Sequence, residues 1–270
     1  MERSPGGNRT ERSPDENGME RWRDGSDTER SPLVPASVAA AAMVFVEDPN
    51  LPVLNQADTR HLTAVLRLRD GEIVVAGDGA GRWARCQMHV GGRHDATLER
   101  IGPVETTDAS EPAITVAFAP VKGDRPEWVV QKLTELGVDR IVPILTARSV
   151  VRWEGERAVK AVERLRRVAR EGSAQCRRAW LPEVAAVSSL RSLAALTGVP
   201  TAMASPGGSP PDLSRPVVAI GPEGGWDPDE LDVGFDMVGL GSTILRAETA
   251  AVAAGTLLCA LRQHLIAPLV

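Results

Sequence analysis

The sequence predicts an α/β protein in which a parallel sheet flanked by helices follows a small all-β domain. Three observations predict it. From Ala113 onward, short apolar runs alternate with helix-period segments, the pattern of a parallel sheet. Upstream, residues 44–105 alternate β-like runs with turns and suit a small β-barrel. Two glycine-bearing loops, 221–225 and 240–250, each leave a strand-like run, which suggests one ligand-binding sheet edge.

The elements follow in order. Residues 1–35 carry Glu-Arg-Ser-Pro at Glu2, Glu11 and Glu29. They offer little apolar surface against the entropy of ordering, so a disordered tail is expected. Residues 36–110 form the expected barrel. Runs 72–76 and 82–88 flank Gly77-Asp78-Gly79-Ala80-Gly81, a hairpin signature, and 60–67 reads as a short helix.

Residues 111–270 form the expected α/β domain. The apolar run 113–121 suits a central strand covered on both faces. In 126–136, Val129, Leu133 and Leu136 line one helix face, and Gly137 ends the helix. Residues 140–145 are the next strand. Val159, Val162, Leu165 and Ala169 give the following long helix a buried stripe. Residues 201–204, 217–220 and 237–240 read as further strands. Asp227, Pro228 and Glu230 mark a helix start with a capping box. The helix 249–261 is apolar nearly all round, so it must be buried on most sides. A homodimer interface would bury it; packing inside one subunit is the alternative.

Composition excludes several classes. There is no apolar run long enough for a transmembrane helix, and the stretch 34–46 is too short and wrongly flanked for a secretory signal. Cys86, Cys176 and Cys259 are odd in number and lack metal spacing, which fits a reducing cytoplasm. His61, His89, His94 and His264 are scattered, so no metal site is expected. Neither phosphate-loop pattern, Gly-x-x-x-x-Gly-Lys-Ser/Thr or Gly-x-Gly-x-x-Gly, occurs. The net charge is −5, yet residues 152–178 hold nine cations against four acids. That stretch is either a phosphate-facing surface or a solvated helix face.

The two glycine loops, Gly221-Pro222-Glu223-Gly224-Gly225 and Leu240-Gly241-Ser242-Thr243-Ile244-Leu245-Arg246-Ala247-Glu248-Thr249-Ala250, resemble the cofactor signatures of SPOUT-class RNA methyltransferases, in particular the RsmE family. The likeness extends, in order, through Val121-Lys122-Gly123-Asp124-Arg125, Gln131 to Val138, Ile141-Val142-Pro143, Ala147 to Arg152, Gln175-Cys176-Arg177-Arg178 and Leu181-Pro182. It departs at Ala174, where the family usually has Glu, and at Ala42-Met43-Val44-Phe45, where the family has a basic-aromatic start.

The resemblance implies a C-terminal SPOUT domain with a parallel sheet and a deep trefoil knot, behind a PUA-like RNA-binding barrel. It implies methyl transfer from S-adenosyl-L-methionine to N3 of a uridine in 16S rRNA, by a homodimer acting on rRNA or the small ribosomal subunit. Arg246 and Glu248 are the expected catalytic residues. The expected cofactor contacts are Gly221, Pro222, Glu223, Gly224, Gly225, Leu240, Gly241, Ile244, Leu245, Thr249 and Ala250. RNA contacts are expected from Lys122, Arg125, Lys132, Arg148, Arg152, Arg177 and Arg178. Two alternatives stay open: a SPOUT enzyme for another rRNA or tRNA site, and a non-catalytic RNA-binding assembly factor.

Overall fold

The computed structural model describes residues 33–35, 38–92 and 95–267. Most of the expected tail, residues 1–32, lies outside them. The expectation fails at its end: Val34 is buried, and its N–H donates to the Arg177 carbonyl at 2.9 Å.

The first sheet contains β1 (Ala42–Phe45), β2 (Ile73–Gly77), β3 (Arg82–Gly92) and β4 (Asp95–Thr106), in that order. β1 and β2 are parallel; β2–β3 and β3–β4 are antiparallel. The small β domain expected upstream is present, and among the described residues no pairing joins β4 to β1. The expected helix 60–67 is instead α1 (Gln56–Arg60), capped by Asn55, running into a π-helical turn (His61–Val65).

Both faces of this sheet are covered. Val44, Val74, Ala84, Cys86 and Met88 pack with Leu62 on one side. Met43, Phe45, Val75 and Trp83 pack with Val34 and Ala179 on the other. Alternation along β1 and β2 therefore sends half of each strand towards the second domain.

The second sheet contains β5 (Thr115–Phe118), β6 (Arg140–Leu145), β7 (Glu183–Val184), β9 (Thr201–Ser209), β10 (Val217–Ile220) and β11 (Asp236–Val238). Its order is β11-β9-β10-β5-β6-β7, with β8 (Ser188–Ser189) also on β6, and every pairing is parallel. All carboxyl ends thus lie on one edge. Helices α2 (Arg125–Leu136), α3 (Gly155–Gln175) and α6 (Ala247–Arg262) cover one face. α4 (Leu190–Thr197), with Trp226, Val233 and Phe235, covers the other. The short α5 (Pro228–Leu231) carries the predicted capping box, with Asp227 and Glu230 satisfying each other's backbone N–H groups.

The α3 stripe is shifted from the expected one. Ala161, Val162, Leu165 and Ala169 are buried, while Val159 is exposed. At the opposite, amino-terminal edge, Asp139 pairs with both Arg178 and Arg262. Arg178 is 1% exposed and donates to the Thr134, Val138 and Trp180 carbonyls. Every polar hydrogen buried there needs such an acceptor.

Candidate active site

Two loops leave the carboxyl ends of β10 and β11 and, with the middle of β9, enclose one cleft of about 560 Å³. Gly221, Pro222, Glu223 and Gly225 form one wall; Leu240, Gly241, Ile244, Leu245, Arg246 and Ala250 form the other. The expected single binding edge is therefore assembled. Gly225 (φ +71°) and Gly241 (φ +138°) adopt backbone conformations that other residues rarely hold, and a Cβ on either would meet nothing within 4 Å.

A third segment, Ala204, Ser205 and Pro206 in the middle of β9, was not anticipated as part of the site. Its signal was present: Ser205-Pro206-Gly207-Gly208 follows an apolar run, as the two loops do. Trp226 was also missed. It fixes the loop after β10 to β9, donating from Nε1 to the Ala204 carbonyl at 3.0 Å.

Three expected site residues do not line this cleft: Gly224, Glu248 and Thr249. Gly224 faces Arg148, whose Nη1 donates to the Gly224 carbonyl at 3.2 Å. Glu248 turns towards α2, where Arg125 Nη1 lies 3.1 Å from its Oε1. Its Oε2 is buried without a hydrogen-bond partner among the described residues. Thr249 is exposed on α6. Arg246 caps the start of α6 with extended backbone, and its guanidinium has no hydrogen-bond or ion-pair partner among the described residues. The ion pair with Glu223 or Glu248 that could have made Arg246 structural is made by Arg125 instead, which also reaches Glu223 at 3.9 Å.

The expected RNA contacts divide into two groups. Lys122, Arg148 and Arg152 are exposed at the carboxyl edge, the last two held by Asp227 and Glu154. The others are engaged. Lys132 pairs with Glu135 at 2.8 Å. Arg177 donates to the Val38 and Ala40 carbonyls and so ties the small domain to the large one. Arg178 is enclosed at the far edge and cannot reach RNA, because its donors are used by the carbonyls around it.

The cleft suits S-adenosylmethionine. Its volume lies in the range of small-molecule sites, its walls are apolar at Ile220, Leu231, Leu240 and Leu245, and glycine backbone is open for polar contacts. Ile244 is 90% exposed at its mouth, a large apolar side chain left uncovered. Among the described residues no three His, Cys, Asp or Glu side chains group to hold a metal, and no helix is long and apolar enough to cross a membrane.

This sheet and cleft, behind a small β domain and taken with two family matches, place the chain among the RNA methyltransferases of the SPOUT class. Residues 109–259 match the family model of an RNA methyltransferase domain, and residues 54–99 that of an RNA methyltransferase PUA domain. The chain belongs to the ribosomal RNA small subunit methyltransferase E family. It is 35% identical over 243 residues to the Mycobacterium bovis protein of that name, covering 79% of this chain and 89% of the relative. The Bacillus subtilis protein of the same name is 27% identical over 224 residues, covering 76% and 87%. Among solved structures, the Neisseria gonorrhoeae enzyme of that name bound to S-adenosyl methionine is 31% identical, with a TM-score of 0.69 over 83% of this chain and 97% of that one. A putative methyltransferase from Legionella pneumophila with bound cofactor is 26% identical, with a TM-score of 0.71 over 83% and 98%.

Proposed function

We propose that this protein methylates N3 of a uridine in 16S rRNA, as a cytoplasmic homodimer acting on the rRNA or the small ribosomal subunit. In this reading residues 111–270 carry out transfer along a knotted chain path, and residues 36–110 grip RNA. One observation carries it within the family frame: Arg246, without a partner among the described residues, on the wall of a glycine-lined cleft.

Uridine N3 is a weakly acidic imide that is paired when the base lies in a helix, so the base must be exposed, most simply by flipping. The bound sulfonium cofactor supplies an electrophilic methyl group. The N3 proton leaves to solvent first; transfer then forms the N3–carbon bond and breaks the sulfur–carbon bond. Before transfer the deprotonated ring shares negative charge with both carbonyl oxygens. Arg246 offers a permanently charged planar fork to that anion. Glu248 acts as a positioning residue through Arg125, since it faces away from the cleft. Gly221, Pro222, Glu223, Gly225 and Gly241, which line the cleft, would hold the cofactor and orient its methyl group.

The test is mass mapping of 16S rRNA from a deletion strain, before and after incubation with the purified protein and S-adenosylmethionine. One added methyl on one uridine base is expected. Absence of added mass, or methyl on another nucleoside or on ribose, would overturn the reading.

A further inference from the structure

A second cleft, of about 460 Å³, opens on the same sheet edge beside the cofactor cleft. Its walls are the loop after β5 (Lys122, Gly123), the loop after β6 (Val151, Trp153) and the first half of α3. Five cations converge on it: Lys122, Arg157, Lys160, Arg164 and Arg167. No carboxylate lines it.

We propose that this groove binds the phosphodiester backbone of the substrate RNA next to the target base. The proposal rests on the methyltransferase reading above and adds to it a specific strand-holding site. Four arguments lead to it.

The first is spacing. Arg157, Lys160, Arg164 and Arg167 recur at three and four residues, which places them on one face of α3. At 1.5 Å per residue the stripe is about 15 Å long, a track rather than a point site.

The second is pairing. Arg164 pairs with Glu127, and Lys160 reaches Glu156 at 3.7 Å. Lys122, Arg157 and Arg167 have neither a hydrogen bond nor an ion pair among the described residues. A solvated helix face is normally laced with opposite charges. Here three cations are left uncompensated in a concavity.

The third is contrast. The whole chain carries −5, so the groove is a local inversion of sign rather than a share of general basicity. Concentrated positive charge in a cleft focuses the field on a polyanion. The floor is apolar, with Val121 and Val151 partly exposed over a buried Trp153, and the two valines offer contact to ribose between the phosphates.

The fourth is position. Lys122 in the groove is three residues from Arg125, which pairs with Glu223 and Glu248 of the two cofactor loops. The groove and the cleft are therefore joined by one short loop. A strand lying in the groove would leave its next nucleotides at the cofactor.

The experiment uses the full chain with Arg157→Gln and Arg167→Gln combined, and Arg140→Gln as control, since Arg140 sits at the amino-terminal edge. Binding to protein-free 16S rRNA is measured across a salt series, and S-adenosylmethionine binding by calorimetry. Losing two phosphate contacts is expected to lower the slope of log affinity against log salt by about 1.4, at about 0.7 per single-strand contact, with the control slope unchanged. Cofactor affinity should stay within about twofold of wild type, which shows that the fold is kept. An unchanged slope in the double variant would overturn the proposal, as would wild-type protein that fails to bind rRNA at low salt. A defect seen only with assembled subunits would assign the groove to an acidic protein surface instead and also overturn it. Failure of the methylation test alone would leave the salt slopes standing, so the two readings fail separately.

Discussion

Arg125 Nη1 stands 3.1 Å from Glu248 Oε1, so the first residue of α2 holds the second residue of α6. Arg125 also reaches Glu223, and one guanidinium thereby ties both cofactor loops to the helix layer. Glu248 is 13% exposed and Arg125 44%, so the pair is only partly screened. Combining Arg125→Ala with Glu248→Ala in a denaturation cycle should give a coupling energy of about 1 kcal/mol. Purely additive losses would show that the pair is idle.

Arg246→Ala should slow methyl transfer roughly 100- to 1,000-fold, about 2.7–4 kcal/mol, in line with loss of one preorganised donor. Cofactor affinity should move far less. Single-turnover methylation at saturating cofactor decides the matter; a rate within a few-fold of wild type would remove Arg246 from the chemistry.

Gly241→Val should weaken S-adenosylmethionine binding by about tenfold or more, because a β-branched residue at φ +138° is strained and Gly241 lines the cleft. Gly224→Val should do less, since its new side chain would push on Arg148 instead. Calorimetry on the two variants should rank them in that order. The reverse ranking would move the cofactor towards Arg148.

Alkaline pH should loosen the fold through two thiols. Burial pushes Cys86 and Cys259 up to about 11 from an ordinary 9.0. Between these values the folded state holds protons that the unfolded state has lost, so stability falls as pH rises. It is at its full value below about pH 9 and should drop by on the order of 2 kcal/mol per thiol by pH 11. The chain has no Tyr and only Lys122, Lys132 and Lys160, so few other groups titrate there. Urea midpoints for a Cys86→Ala, Cys259→Ala variant should decline less over that range than those of the wild type.

The outward face of α6 presents Val252, Ala253 and Leu257, partly exposed, near an exposed Leu265 and Ile266. A second copy of the chain would cover it. Leu257→Asp should convert a dimer into a monomer in sedimentation at micromolar concentration. A monomeric wild type would dispose of the dimer.

The large domain was the more legible part. Its strands are buried on both faces, so runs such as Val217–Ile220 stand out as apolar blocks. The two glycine loops could be read because each follows such a block. The third segment was harder to see because β9 runs on through Ser205 to Ser209, with a bulge against β11. Glu248 could not be placed from its motif, since the direction of one helical residue depends on what α6 packs against. Arg177 and Arg178 looked like surface cations for the same reason: charge is visible in sequence, and enclosure by distant carbonyls is not. The glycine-rich hairpin 77–81 read as a simple turn, yet it docks on Trp180 and Leu181, with Leu181 N–H donating to the Gly79 carbonyl at 2.9 Å.

That docking has a consequence for how a target is chosen. Trp180 Nε1 donates to the Thr107 carbonyl, Arg170 to the Phe45 carbonyl and Arg177 to two more carbonyls, so the two sheets are fastened at several separate points. A joint of that kind fixes the span between whatever the small domain holds and the cofactor. Under the function proposed above the molecule would work as a caliper: a nucleotide would qualify by its distance and angle from a second landmark on folded RNA, and its neighbours in sequence would not need to be read.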